Sequence, residues 1–282
     1  MKRLLLCASV FSVAAGLTPA FAAGVTLISQ ATVQTSGGFP YVIAQSGSYQ
    51  LSSNLVVPCG SGANGINITA SNVTVDLNGF TISCSATNTA TGIQAGAVTG
   101  ITIMNGAVTG FGSSAQGYGI DFIGGPAYSG TSWTAKAYQV QVTQNGTGIY
   151  AGENTLLTVA ESVVNNNAAY GIFAGSGRSA RIQNSQIDYN LQAGIVISQG
   201  SVSACDLTGN PNGGVLVAIG ANITNNSISG SNVGIGPAPL DPEIIGIVGY
   251  GSNTFFNAVD VAQNAGAFVS MKNNVSSSGV IF

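Results

Sequence analysis

Apolar and polar residues alternate in short runs along most of this chain, and many of the runs begin with a glycine. Each glycine is followed by an apolar residue, a variable residue and usually a second apolar residue, the two-residue period of a strand with one buried face. The runs are Gly65-Ile66-Asn67-Ile68, Gly92-Ile93-Gln94-Ala95, Gly119-Ile120-Asp121-Phe122, Gly148-Ile149-Tyr150-Ala151, Gly171-Ile172-Phe173-Ala174, Gly194-Ile195-Val196-Ile197 and Gly214-Val215-Leu216-Val217. The pattern predicts strands and very little helix.

The glycines recur 20 to 29 residues apart, and that period indicates a solenoid. Units of this length cannot bury an apolar face alone and are stable only when stacked. A strand that recurs in every coil in the same direction pairs in parallel with its copy in the next coil, about 4.8 Å away. We therefore predict an all-β fold, a single-stranded parallel β-helix of about 9–10 coils and roughly 45 Å in length.

A second register supports the stacking. Four apolar residues each precede an asparagine by three positions: Val142 and Asn145, Val164 and Asn167, Ile187 and Asn190, Leu207 and Asn210. Asparagine tolerates left-handed backbone and suits a tight corner, and stacked carboxamides can hydrogen-bond along a rod. The alternative is that asparagine is simply common in turns, but the matched phase favours a ladder.

The first coils resemble a known family. The segment from Gly47-Ser48-Tyr49-Gln50-Leu51 to Val73-Thr74-Val75-Asp76-Leu77-Asn78-Gly79 is similar to the start of secreted right-handed parallel β-helix proteins with the pectin-lyase-like fold. Later units resemble their repeats, so that the resemblance covers about residues 40–262. It implies a right-handed coil, as does the general preference of parallel crossovers. It implies no activity, because this fold carries lyases, hydrolases, epimerases, phage spikes and proteins without a known reaction.

The N-terminus reads as an export signal. Met1-Lys2-Arg3 is basic, an apolar stretch follows, and Ala20-Phe21-Ala22 fits a cleavage site. No other apolar run approaches a transmembrane length. We therefore expect a signal peptide at 1–22, an N-terminal cap with the first strands at 23–58, a β-helix at 59–265 and a C-terminal coil or cap at 266–282. The basic start and short apolar core are typical of bacteria, so the expected location is the periplasm or the medium.

Charge and cysteine content narrow the choice further. Without Lys2 and Arg3, four basic residues face nine acidic ones, and a nucleic acid is a poor partner for so acidic a chain. Cys59 and Cys84 are 25 residues apart, close to one coil, so a disulfide is expected, with two buried thiols as the alternative. Cys205 shares its phase with Ser162, Ser185 and Asn226 and is expected in the core.

Catalytic groups are scarce. The chain has no histidine, which excludes histidine-dependent triads, and it lacks the paired aspartates of polygalacturonase-like enzymes. We predict no metal site and no cofactor. The charged residues that could form a catalytic group are Glu153, Glu161, Arg178 and Arg181, with Asp121 as a further candidate. A solvated ion-pair patch at a turn is the favoured interpretation of that group.

The residue two positions after each repeat glycine should point outward. That column reads Asn67, Gln94, Asp121, Tyr150, Phe173, Val196 and Leu216. An exposed apolar strip from Tyr150 to Leu216 would mark a glycan-binding face or an oligomer contact, unless the aromatic loop from Gly124 to Tyr138 covers it, which we favour. Tyr118, Tyr128, Trp133, Tyr138, Tyr150 and Phe173 are the candidate ligand-contacting residues.

The favoured hypothesis is an exported, non-catalytic β-helix that binds or displays at the cell surface, with polysaccharide as its ligand. Whether it is an enzyme stays open. A divergent polysaccharide lyase or epimerase of the same fold is the first alternative, and a structural adhesin or spike-like oligomer is the second.

Overall fold

A computed structural model describes residues 24–84, 89–112, 116–125, 132–175, 179–238, 247–262, 268–271 and 273–276. The described chain forms a parallel β-solenoid of about nine turns with almost no helix, as predicted. Every coil passes through three parallel sheets in the same order. The expected signal peptide lies outside the described residues.

Sheet 1 contains the strands that carry or follow the repeat glycines, together with strands of the first and last coils that pair in register with them. They are β2 (Tyr41–Ile43), β5 (Ile66–Ile68), β8 (Ile93–Ala95), β10 (Tyr118–Phe122), β12 (Thr147–Ala151), β15 (Ile172–Ala174), the first parts of β18 (Ala193–Ser203) and β20 (Gly213–Thr224), β22 (Val233–Pro237) and β25 (Val259–Val261). Ile149 pairs with Ile172, and Ile172 pairs with Ile195. Like positions of successive coils are therefore superposed, and the predicted register is confirmed.

Sheets 2 and 3 complete each coil. Sheet 2 consists of β1 (Thr26–Ile28), β3 (Gly47–Leu51), β6 (Val73–Asp76), the first parts of β9 (Ile101–Thr109) and β11 (Trp133–Thr143), β13 (Thr155–Ala160), β16 (Ser179–Gln183), the second parts of β18 and β20, β23 (Val248–Gly251) and β26 (Phe268–Ser270). Sheet 3 consists of β4 (Leu55–Val56), β7 (Thr81–Ser83), the second parts of β9 and β11, β14 (Val163–Asn165), β17 (Gln186–Asp188), β19 (Asp206–Thr208), β21 (Ser227–Ser229) and β24 (Thr254–Phe256).

The repeat glycines are required by close approach of the coils. A Cβ on Gly148 would lie 2.5 Å from the carbonyl oxygen of Gly171, and a Cβ on Gly171 would lie 2.6 Å from that of Gly194. Real Cβ atoms do not approach a carbonyl oxygen so closely, so any side chain would force adjacent coils apart. The glycines therefore recur with the period of the coil because the same close backbone contact recurs in each coil.

The corner between sheets 2 and 3 has a constant form. From β9 onward two residues separate the strands, and the first adopts a positive φ between +50° and +59° at Asn105, Gln139, Glu161, Asn184, Ala204, Asn225 and Ser252. From β13 onward the second residue turns inward and is small or an amide, as at Ser162, Ser185, Cys205, Asn226 and Asn253. Cys205 is buried in the main core, as expected, and burial raises the pKa of its thiol to about 11.

The asparagine ladder forms at the corner between sheets 3 and 1. Side-chain Nδ2 groups donate to the Oδ1 of the next rung, from Asn145 to Asn167 at 3.2 Å, from Asn167 to Asn190 at 2.8 Å and from Asn190 to Asn210 at 3.0 Å. All four amides are buried. A second ladder, from Asn226 to Asn253 and Asn274, runs along the corner between sheets 2 and 3. Each rung satisfies buried polar groups that a tight corner would otherwise leave unpaired.

The N-terminal end of the solenoid is closed by helix α1 (Gln30–Thr35). Ser29 caps the helix, and the side chain of Val33 is fully buried. The Gln30 carboxamide accepts from the N–H of Val56 at 2.9 Å and donates to its carbonyl at 3.3 Å. This amide takes the place of a neighbouring strand at an otherwise unpaired edge, which limits edge-to-edge association.

The predicted disulfide is present between Cys59 and Cys84, with a Cα–Cα distance of 5.8 Å. A short 3₁₀ helix (Cys59–Ser61) presents the first cysteine, and the second follows β7. The bridge joins consecutive coils, since β4 and β7 are paired neighbours in sheet 3.

Candidate functional site

The outward column of sheet 1 carries the candidate site. Gln94 pairs with Asp121, Asp121 with Tyr150, and Tyr150 with Phe173 in the register of adjacent strands. The backbone thus places polar and aromatic side chains in one row along the rod. The row lies on strands rather than on loops, which holds its members at fixed spacing.

Four aromatic rings form a cluster in the middle of this row. Tyr118 and Tyr150 have ring centroids 5.0 Å apart with a 44° interplanar angle. Tyr150 and Phe173 are stacked, with centroids 5.7 Å apart and planes 4° apart. Tyr170 joins Phe173 at 5.0 Å and 51°. We refer to Tyr118, Tyr150, Tyr170 and Phe173 as the aromatic cluster.

Sequence reasoning missed Tyr170, although a signal for it exists. Tyr170 immediately precedes the repeat glycine Gly171, just as Tyr118 precedes Gly119. The two tyrosines therefore occupy the same position of the repeat, and reading the residue before each glycine would have found the fourth ring.

The cluster borders two surface hollows that share Tyr150 as a wall. A hollow of about 160 Å³ is lined by Tyr118, Thr147, Tyr150, Tyr170 and Phe173. A larger and more open one of about 430 Å³ is lined by Ala97, Ile123, Gly124, Gly125, Tyr150, Gly152 and Glu153. The indole of Trp133 lies against Gly125, where a Cβ would collide with its ring. We refer to the two hollows together as the cleft.

Amide groups extend the row beyond the cluster. The Gln94 Nε2 donates to Asp121 Oδ2 at 3.2 Å, and Asn64 Nδ2 donates to both Gln94 Oε1 at 3.2 Å and Asn67 Oδ1 at 3.1 Å. These bonds fix the orientation of each amide beside the aromatic rings. Gln94, Asn64 and Asn67 are only partly buried, so their polar atoms border solvent.

Asp121 is the most perturbed carboxyl of the row. Its side chain is only 5% exposed, and its Oδ1 has no hydrogen-bond partner within the described residues. Burial raises the pKa of Asp121 to about 6, although the hydrogen bond from Gln94 acts in the opposite direction. Burial is also the main cause that raises the pKa of both Tyr118 and Tyr150. The carboxyl therefore changes charge close to neutral pH.

The apolar part of the outward column is buried beyond the aromatic cluster. Val196 is 0% exposed and Leu216 is 6% exposed, and both belong to a small apolar cluster with Ala193, Ala218 and Ala238. Their side chains are packed by the alanines of their own and the next coils. Val196 and Leu216 are therefore covered, which is the favoured of the two interpretations of the strip, and the described cover consists of these alanines. Residues 126–131 of the loop expected to cover the strip lie outside the described residues.

The proposed charged group is spread over two corners. Glu153 precedes β13 and Glu161 follows it, so six strand residues separate the two carboxylates by roughly 20 Å. Glu161 accepts from the hydroxyl of Tyr138 and from the side chain of Gln139, both at 2.9 Å. Arg181 is exposed on sheet 2. Of the three members of this group that the structure describes, Glu153 is the one that lines the cleft.

The candidate ligand residues divide in the same way. Tyr118, Tyr150, Phe173 and Trp133 lie at the cleft. Tyr138 lies at the far end of its sheet 2 segment, beside Glu161. Tyr128 and Arg178 fall outside the described residues. Among the residues that the structure describes, no group of three or more histidine, cysteine, aspartate or glutamate side chains is placed to hold a metal ion.

Comparison with known proteins identifies the architecture. The family model of the right handed beta helix region matches residues 21–233. The solved structures include pectate lyase Pel9A, with a TM-score of 0.47, 14% identity and coverage of 89% of this chain and 69% of the lyase. The Dettilon tailspike protein has a TM-score of 0.39, 16% identity and coverage of 90% and 57%, respectively. A search of the curated proteins gave no match. In the described part of the chain, no helix has the length and apolar character to span a membrane.

Proposed function

Because this chain belongs to the right-handed β-helix family, whose fold alone fixes no activity, we propose its function from the cleft: it is an exported protein that binds polysaccharide without modifying it. The observation that carries the proposal is the aromatic cluster at two open hollows, beside a hydrogen-bonded row of amides. Aromatic rings bind the apolar faces of sugars, and partly exposed amides bind hydroxyl groups.

The shape of the cleft supports an extended ligand. The hollows follow each other around Tyr150, and the amide row continues along the rod over two further coils. A polymer can therefore contact several coils at once, and many weak contacts add up along its length. The faces of Tyr150 and Phe173 are partly occupied by each other, so sugars would meet mainly ring edges, hydroxyl groups and the walls of the hollows.

Export is part of the same proposal. A disulfide between Cys59 and Cys84 suits an oxidising compartment, as does the signal-like N-terminus. Secretion is tested directly by N-terminal sequencing of the protein recovered outside the cytoplasm, and a retained Met1 would contradict it.

Catalysis is the second candidate function, and one observation favours keeping it. Asp121 and Glu153 both lie beside Tyr150, and a carboxyl with a pKa near 6 suits general acid–base catalysis. Lyase or epimerase action would need these groups to reach the sugar, yet Asp121 is almost completely buried. We therefore place binding before catalysis.

The test is retention of the purified protein on a polysaccharide panel by affinity electrophoresis, together with assays for reducing and unsaturated ends. We expect retardation on at least one polymer without new ends, and loss of retardation in Tyr150→Ala. Tyr189→Ala is the matched control, because Tyr189 is an exposed tyrosine at another corner. Retardation that survives Tyr150→Ala would exclude the cleft as the binding site. New chain ends would show that the protein is an enzyme, and catalysis would then take the place of binding as the proposed function.

A further inference from the structure

The amide row beside the aromatic cluster has a fixed direction of hydrogen bonding. At one end the backbone N–H of Thr91 donates to Asn64 Oδ1 at 2.9 Å, and at the other end Gln94 Nε2 donates to Asp121 Oδ2 at 3.2 Å. A backbone N–H can only donate, and an ionised carboxylate can only accept. Because the two ends agree, the partners of Asn64 and Gln94 determine which side of each amide is nitrogen and which is oxygen.

This direction leaves mainly N–H groups for a ligand. Asn64 uses both of its N–H bonds, one to Asn67 Oδ1 at 3.1 Å and one to Gln94 Oε1 at 3.2 Å. The Nδ2 of Asn67 donates to none of the described residues, and Gln94 Nε2 donates one of its two N–H bonds to Asp121. Asn67 and Gln94 are partly exposed, and their oxygens already accept one hydrogen bond each. The unused hydrogen-bonding capacity of the row is therefore mostly that of donors.

An exposed apolar side chain lies next to these free donors. Val42 pairs with Asn67 in the register of β2 and β5, and Asn67 pairs with Gln94 in the register of β5 and β8. Neighbouring strands lie about 4.8 Å apart. The side chain of Val42 is 54% exposed, so its methyl groups face solvent in the same row. The N-terminal end of the row thus offers N–H donors beside an apolar surface.

An acyl substituent of a sugar has the two matching parts. Its carbonyl oxygen accepts hydrogen bonds and donates none, and its methyl group gains free energy when it leaves water. A free hydroxyl group at the same place carries a proton of its own, which needs an acceptor. Since the oxygens of Asn67 and Gln94 each hold one hydrogen bond already, the row fits an acyl group better than the hydroxyl that it replaces.

On the basis of the proposed function, we infer that Val42, Asn67 and Gln94 form a subsite for acyl groups, so that the protein prefers acetylated polysaccharides to their deacetylated forms. The carbonyl oxygen accepts from the free N–H groups of the two amides, and the methyl group packs against Val42. The subsite is continuous with the cleft, because Asn67 lies three strand spacings from Tyr150, or about 14 Å. An extended polymer can therefore occupy both.

The experiment compares each polymer with its own deacetylated form, so that the sugar backbone is constant and both forms are uncharged. The probes are O-acetylated glucomannan, O-acetylated xylan without uronate branches and acetylated soluble β-glucan, each before and after mild alkaline removal of the acetyl groups. By affinity electrophoresis we expect at least one acetylated form to bind about fivefold more tightly than its deacetylated form. Tyr150→Ala should lose this binding, because the polymer also occupies the cleft.

Two substitutions that preserve shape test the subsite. Asn67→Asp keeps an acceptor for Asn64 but removes the free donors, and it should abolish the preference for the acetylated form. Val42→Thr replaces one methyl group by a hydroxyl and should reduce that preference. The controls Asn222→Asp and Val56→Thr make the same changes at exposed positions of sheets 2 and 3 and should leave the preference unchanged.

The outcomes separate this inference from the proposed function. Equal or tighter binding of the deacetylated form in every pair, or a preference that survives Asn67→Asp, would overturn the inference while the cleft remains a polysaccharide site. Binding of other polysaccharides but of none of these pairs would overturn it as well. Absence of binding to every polymer would overturn the proposed function itself.

Discussion

Replacing Asp121 by asparagine should stabilise the protein at neutral pH and leave it almost unchanged at acidic pH. The carboxyl is 5% exposed, accepts one hydrogen bond from Gln94 and has an unpartnered Oδ1 among the described residues. An asparagine side chain has nearly the same shape and can still accept from Gln94. It carries no charge that would have to be buried, so the cost of desolvation disappears.

The magnitude follows from the pKa, which burial raises from 3.8 to about 6. Below pH 4 the carboxyl is protonated in both the folded and the unfolded state, and no penalty arises. Between pH 4 and 6 the unfolded chain releases the proton that the folded chain still binds, so stability falls as the pH rises. Above pH 6 the penalty is complete and amounts to about 3 kcal/mol at 1.36 kcal/mol per unit.

The assay is urea unfolding followed by circular dichroism at pH 4 and at pH 7.5, with the free energy of unfolding extrapolated to water. We expect Asp121→Asn to exceed the wild type by up to about 3 kcal/mol at pH 7.5 and to differ little from it at pH 4. Asp206→Asn controls for loss of one negative charge, because this carboxylate is exposed. An Asp121→Asn variant that is less stable at pH 7.5, or equally shifted at both pH values, would refute the reasoning.

Three further predictions concern the stack itself. Asn190→Ala removes the acceptor of the Asn167 backbone N–H and of one carboxamide N–H of Asn167, and it removes the donor to the Val164 carbonyl. At ~1–3 kcal/mol for each of these groups, the variant should lose about 3 kcal/mol or more in urea unfolding, and a loss below about 1 kcal/mol would contradict a structural ladder. Gly171→Ala brings a Cβ to 2.6 Å from the next coil's carbonyl oxygen and should lower the melting temperature, whereas Gly96→Ala, whose nearest contact would be 3.7 Å, should not; equal effects would show that close approach is not the reason for glycine. Burial raises the pKa of Cys205 to about 11, so a thiol reagent should label it only after unfolding, and rapid labelling of the native protein would place the thiol at the surface.

The sequence predicted the stacked coils because the cause of the repeat is local. Each repeat glycine is needed where its own backbone meets the next coil, so the same residue recurs once per coil. The ladder of Asn145, Asn167 and Asn190 was predictable for the same reason, since matched phase means matched position. The sequence alone therefore showed which residues of successive coils stack on one another.

The composition of the site was less accessible, because it depends on the path between sheets. Glu153 and Glu161 are close in sequence, but β13 separates them, and the length of that strand is not part of the repeat. The burial of Val196 and Leu216 depends on the packing of alanines from neighbouring coils, which alternation does not reveal. Such contacts depend on how the residues of each coil are divided between strands and links, which the repeat length alone does not give.

The corner between sheets 2 and 3 has a constant length of two residues and should not tolerate an insertion, whereas the link between sheets 1 and 2 should. One extra residue between sheets 2 and 3 would invert which side chains face inward along the following strand. The link from sheet 1 to sheet 2 instead varies: β18 and β20 run through both sheets without a break, three residues follow Ala151, and ten follow both Phe122 and Pro237. Glu153 and Gly125 lie in this variable link, so foreign peptides grafted there would alter the mouth of the cleft while the pitch of the rod is preserved.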